Sequence, residues 1–150
     1  MTVPHVRLIR ALDVEAVLEM IRSLARHHGD KPMITLDNLR RDALGPNPWV
    51  SVLVAEQQDR LTGYSVLCPL VQMQFGVRGM DMHHLFVQPD VRGQGVGRAL
   101  IEASLATSRL MGCRYMTVGT HPENGAAADV YRAAGFEPLP PPGPRFRIKL

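Results

Sequence analysis

The sequence predicts a mixed α/β fold: a mostly antiparallel central sheet that includes one splayed parallel pair, with helices on both faces. Three observations carry that reading. Apolar residues between 14 and 25 recur at helical spacing, whereas from 49 to 88 the apolar period drops to two, in three runs joined by short turns. A glycine-rich turn at 93–97 then opens a long helical pattern, and another strand-like run follows it. Short connections make antiparallel neighbours, whereas a strand, a crossover helix and a second strand in one sheet run parallel.

Residues 6–10 read as a first strand. Asp13 is placed as the N-cap of the first helix, with Leu12 and Val17 as a hydrophobic staple. Val14, Val17, Leu18, Ile21, Leu24 and Ala25 form its inner face, and Gly29 ends it. Thr35 caps a shorter helix with Leu36, Leu39 and Ala43 inward, closed by Gly45-Pro46. Strands are expected over 49–56, 62–72 and 80–88, with turns at Gln58-Asp59-Arg60 and Gly76-Val77-Arg78-Gly79. Val96, Ala99, Leu100, Ala103, Thr107 and Leu110 line one face of the long helix, which Gly112 ends. A further strand covers 114–119, a short helix about 125–134, and a last strand 145–150, where Phe146, Ile148 and Leu150 alternate with cations. No repeat or linker divides the 150 residues, so the expectation is one domain over 1–150.

The composition, 45% hydrophobic and 21% charged, is that of a globular chain. Its net charge of +3 is mild and contains no basic run, which suits an anionic ligand and argues against a nucleic-acid partner. Pro4, His5 and Arg7 interrupt any signal-peptide core, and no apolar run reaches membrane length. Cys68 and Cys113 are too far apart for a metal knuckle or redox pair. Together these features lead us to expect a cytoplasmic protein without a membrane partner. His27, His28 and His121 lack the HxxxH or CxxC spacing of a metal site, and adjacent histidines on a strand diverge, so no metal is expected. His27 and His28 suit the negative end of the first helix.

The chemistry begins at Arg92-Gly93-Gln94-Gly95-Val96-Gly97, directly after the apolar run Leu85-Phe86-Val87. A strand, a glycine turn and a helix N-terminus present unpartnered N–H groups to a phosphate. The spacing is neither GxGxxG with a later acidic residue nor GxxxxGK[ST], so neither the dinucleotide fingerprint nor a P-loop is present. Arg92 and Arg98 add charge; Arg98 could equally pair with Glu102 one helical turn on.

The RxxGxG pattern resembles the acyl-CoA pyrophosphate loop of the GNAT superfamily of N-acetyltransferases. The strand Leu85-Phe86-Val87-Gln88-Pro89 is similar to the one that receives the acetyl group and pantetheine arm. Asn124 with Tyr131-Arg132-Ala133-Ala134-Gly135-Phe136 resembles the superfamily's second block. His28-Gly29-Asp30, Leu39 with Asp42, Gly45 with Asn47-Pro48 and Leu53-Val54-Ala55-Glu56 resemble the diamine (spermidine/spermine and thialysine) acetyltransferase branch.

The resemblance implies acetyl-CoA as cosubstrate, a primary amine of a small molecule as acceptor, direct attack in a ternary complex, and a homodimer. It places the cofactor on Leu85, Phe86, Val87, Arg92, Gly93, Gln94, Gly95, Val96, Gly97, Arg98, Asn124 and Tyr131. An N–H of 85–87 would polarise the thioester carbonyl. Tyr131 would protonate the departing thiolate. N-capping competes as the role of Asn124, and packing as that of Tyr131.

The amine needs a base. Asp81 and His83, at period two, share a face with Leu85 and Val87, while Met82 and His84 point away. His83 is the first candidate and Asp81 the reserve, with a structural role the competing reading for either histidine. The branch carries acids at the positions of His83 and His84, so the pair His83-His84 predicts weak activity on polyamines. The alternatives are acetylation of a protein or peptide amine, and a non-catalytic acyl-CoA sensor.

Overall fold

The computed structural model describes residues 3–150. Residues up to Gly119 form one compact unit and Thr120–Leu150 a second. The first unit holds a five-stranded sheet in the order β1(His5–Leu8), β2(Ser51–Gln57), β3(Arg60–Gln72), β4(Val77–Val87), β5(Cys113–Val118). All neighbours are antiparallel except β4 and β5, which run parallel. The expected sheet is therefore present, and the crossover helix α3(Val96–Leu110) joins its parallel pair.

Helices α1(Val14–His27) and α2(Leu36–Ala43) cover one face. Val14, Val17, Leu18, Met20, Ile21 and Leu24 of α1 pack with Val52, Val54, Tyr64, Val66 and Phe86 of the sheet. Thr35 caps α2 as expected: its hydroxyl accepts from Asn38 N at 3.1 Å, and Asn38 Oδ1 accepts from Thr35 N at 3.1 Å. Helix α3 covers the opposite face, where Ser65 Oγ and Ser104 Oγ lie 2.9 Å apart. Gly63 admits that helix closely, since a Cβ there would stand 3.0 Å from Leu100 Cδ1 and 2.6 Å from Phe86 O.

Four local expectations are corrected. Leu12 is exposed and makes no staple. Asp13 stands at the N-cap of α1 without a capping bond; its carboxylate instead accepts from Arg10 N at 2.7 Å and from Arg7 at 2.7 and 3.1 Å. Arg7 also reaches Glu56 at 2.7 Å, tying β1, the turn before α1 and β2 together, and its hydrogen bonds hold the Asp13 carboxyl below its usual range. On α3 the buried positions are Val96, Leu100, Ile101, Ser104 and Ser108, while Leu110 is exposed. Serines can face the core there because their hydroxyls are bonded; Ser108 donates to Ser104 O at 2.8 Å. The fourth is 145–150, where no strand forms and Phe146, Ile148 and Leu150 are exposed. Alternation makes a strand only where another strand supplies backbone partners, and no described strand pairs with this segment.

Candidate active site

The turn after β4 is built by two left-handed glycines, Gly93 at φ +80° and Gly95 at φ +87°, with open space where a Cβ would stand. A side chain at either would be strained by the backbone alone. Gly97, already helical, lies beside Val87, whose Cγ2 would be 3.6 Å from an added Cβ. Gly95 is the N-cap of α3 and contributes no capping side chain, so the N–H groups of Val96, Gly97 and Arg98 face outward with the positive end of the helix. Arg92 Nε donates to Val87 O at 3.0 Å, pinning the turn to the end of β4. Arg98 pairs with Glu102 at 3.0 Å on an exposed surface.

Strand β4 carries the second half of the arrangement. Its parallel pairing with β5 stops at Met82↔Val118, yet β4 continues to Val87. The backbone of 83–87 therefore has a β3 ladder on one side and no β5 ladder on the other. Such an edge accepts an extended ligand as an added strand.

The β3–β4 register contains a bulge that reverses a sequence expectation. Leu67 opposes Met82 while Val66 opposes His84, leaving His83 as the extra residue. Opposed residues share a face. Met82 thus lies on the α3 face with Leu67, and His84 on the α1/α2 face with Val66. Asp81, opposite Cys68, also faces α1/α2, whereas Leu85 and Val87, opposite Ser65 and Gly63, face α3. Asp81 and His83 therefore do not share a face with Leu85 and Val87. Nor do the adjacent histidines diverge: their rings stack with centroids 4.3 Å apart and planes 16° from parallel.

His84 is half-buried, and Tyr64, fully buried on β3, brings its Oη to 3.0 Å from His84 Nδ1. Burial, with the neighbouring rings of His83 and His28, pushes the His84 imidazole down to about 4. Burial pushes the Tyr64 phenol well above its usual value. Asp81 Oδ1 accepts from Thr117 Oγ1 at 2.6 Å. A Cβ at Gly79 would overlap the Tyr115 ring, which fixes the spacing of β4 and β5 just before they part.

In the second unit, α4(Gly125–Ala133) is capped by Asn124, whose Oδ1 accepts from Ala127 N at 3.1 Å. Tyr131 packs edge-on against Phe136 at 5.8 Å, and burial raises its phenol above the usual value.

A family model described as the acetyltransferase (GNAT) family matches residues 14–136. The chain belongs to that family. Among curated proteins, this family member is 29% identical over 137 residues to a thialysine N-epsilon-acetyltransferase of Sus scrofa, covering 85% of this chain and 80% of that protein. It is 33% identical over 118 residues to a mycothiol acetyltransferase of Cellulomonas flavigena, covering 73% of this chain and 33% of that protein. Among solved structures, an aminoglycoside N-acetyltransferase in complex with CoA superposes with a TM-score of 0.80 at 20% identity, over 100% of this chain and 97% of that one.

The glycine turn fits the donor that the family implies. A pyrophosphate needs converging N–H groups and no intruding Cβ, and the turn before α3 offers both. The described residues hold no group of three or more His, Cys, Asp or Glu able to bind a metal, and no helix among them is long and apolar enough to cross a membrane. Sequence reasoning did not anticipate Tyr64 as a site residue; it placed His84 correctly on the face away from Leu85 and Val87, but put Asp81 and Met82 on the wrong faces. Tyr64 lies on another strand and meets His84 as a diagonal neighbour across the β3–β4 register, so no local pattern announces it.

Proposed function

We propose that the chain transfers the acetyl group of acetyl-CoA to a primary amine of a small molecule by direct attack in a ternary complex. One observation carries the reading: β4 loses its parallel neighbour over 83–87, immediately before the uncapped, glycine-built N-terminus of α3. A phosphate end and a strand-like arm of one ligand are thus accommodated by consecutive residues.

Acetyl-CoA supplies the activated acyl group. Backbone N–H groups of Gln94, Val96, Gly97 and Arg98 bind the pyrophosphate across Gly93 and Gly95, with Arg92 supplying charge. The backbone of Leu85, Phe86 and Val87 aligns the arm, and an N–H there stabilises negative charge developing on the carbonyl oxygen. Phe86 itself is a core side chain, so its contribution is through the backbone.

An alkylamine is protonated at neutral pH, and His83, exposed on the bulge, takes that proton directly or through water. Asp81 is the reserve base; its bond to Thr117 makes it the less available of the two. Tyr131 donates to the departing thiolate, and a phenol whose pKa is raised by burial keeps the proton it must give. Asn124, already capping α4 through Oδ1, adds a hydrogen bond to the ligand arm. That the thialysine enzyme is named for acetylation of the ε-nitrogen of a small molecule supports the choice of a small molecule. Cytoplasmic residence and a homodimer complete the proposal; the free thiols of Cys68 and Cys113 support the former and the family resemblance the latter.

Thiol release from acetyl-CoA, measured with and without a panel of amines, tests the reading. Amine-dependent release is expected, with spermidine a poor acceptor because His83 and His84 offer no carboxylate to an ammonium. Tyr131→Phe should lower kcat about 100-fold at unchanged KM for acetyl-CoA. Binding of acetyl-CoA without release across the panel would make the chain a sensor.

A further inference from the structure

The Tyr64–His84 pair has a consequence for the acceptor that neither the donor loop nor the base requires. Tyr64 is fully buried, and among the described residues its hydroxyl has a single partner, His84 Nδ1 at 3.0 Å. A buried O–H that accepted from this ring would leave its own proton unpaired, a costly arrangement. The phenol therefore donates, Nδ1 accepts, and the ring proton of neutral His84 sits on Nε2. That second nitrogen meets no protein acceptor among the described residues and is not sealed from solvent. His84 stands where β4 leaves β5, with the exposed ring of His83 stacked on it. A half-buried imidazole backed by a phenol, with the His83 and His28 rings also disfavouring its charged form, is a fixed N–H donor and a poor place for a cation.

We propose that His84, locked in its Nε2–H form by Tyr64, is an acceptor-specificity residue: it donates a hydrogen bond to a carboxylate, carbonyl or hydroxyl oxygen of the amine substrate. This rests on the acetyltransferase reading above and deepens it. The acceptors it favours are amines that carry an oxygen, such as amino acids or amino sugars, over bare diamines of the same length. Tyr64 is a positioning residue, acting through His84.

Two measurements test it together. Long-range proton–nitrogen NMR of the uniformly labelled protein should show His84 protonated on Nε2 and bare on Nδ1 at neutral pH, with Tyr64→Phe releasing a mixture of tautomers. A His84 protonated on Nδ1 in the wild type overturns the proposal. The second is the ratio of kcat/KM for matched acceptors that differ only in a carboxylate, L-lysine against cadaverine and L-ornithine against putrescine. His84→Leu should reduce the ratio about tenfold, the weight of one neutral hydrogen bond. His84→Gln, which keeps an N–H, should retain most of it. An unchanged ratio in His84→Leu, or no turnover of the amino acids alongside turnover of other amines, overturns the specificity role and leaves the transferase reading standing. Thiol release that no amine in the panel stimulates would instead remove the transferase reading, while the NMR result still reports on the tautomer.

Discussion

The glycine turn at 92–98 and the strand segment 81–84 lie on either side of one strand end, and they are specified in opposite ways. In the turn, the proposed donor site rests on the backbone: two left-handed glycines and an uncapped helix end form it, and side chains contribute by being absent. At 81–84 function resides in side chains whose direction a single inserted residue decides. The bulge at His83 puts Asp81 on the α1/α2 face with His84, which lies beside Tyr64, and the two imidazoles stack there. A backbone site tolerates variation nearby, whereas a side-chain site depends on its register. The same fold can therefore keep its donor and change its acceptor.

The contrast can be broken at several points. The largest effect is expected at His83: His83→Ala should lower kcat at neutral pH about 100-fold or more and abolish the acid limb of the pH–rate profile, while Asp81→Ala keeps that limb. The reverse pattern would make Asp81 the base and reduce the bulge to a structural feature.

Next comes pH-dependent stability. His84 is held near 4 in the fold against 6.5 in the unfolded chain, so between those values the unfolded state binds a proton that the folded state does not. Stability should therefore fall as pH drops from 6.5 to about 4, by about 3 kcal/mol in total. Denaturant titrations of wild type and His84→Leu at pH 7 and pH 4.5 measure the difference; parallel losses in the two proteins would show that the ring is not held neutral. Asp13, held low by Arg7, adds a loss at still lower pH that both proteins share.

Gly95→Val tests the other side of the comparison. A β-branched residue at φ +87° should cost roughly 1–2 kcal/mol of stability and raise KM for acetyl-CoA about tenfold, with acceptor preference unchanged. A shift in acceptor preference would show that the two regions are coupled. The smallest effect belongs to Arg98→Ala: its pair with Glu102 is solvent-exposed, so stability should change by less than about 0.5 kcal/mol, and a detectable rise in KM for acetyl-CoA would assign its charge to the ligand.

The sequence already contained the order of the first five strands and their helices, the parallel pair, the capped α2 and the glycine turn before α3. Each is encoded locally, by apolar period, by a threonine three residues before an asparagine, or by glycines at fixed spacing. The inner face of α3 was misjudged because Ser104 and Ser108 are polar by composition and become suitable for the core only through bonds to Ser65 and to the helix backbone. The strand expected at 145–150 failed for a related reason, since alternation is local and pairing is not.

The sequence by itself determined that this is an acetyltransferase of the GNAT family with a glycine-built turn after its fourth strand. Those features depend on residues close together in the chain. Only the tertiary structure decided that His83 bulges, that Asp81 lies on the same side as His84 and that Tyr64 stands behind His84, because a bulge is a property of two paired strands, and residues 20 positions apart meet only once the register between them is set.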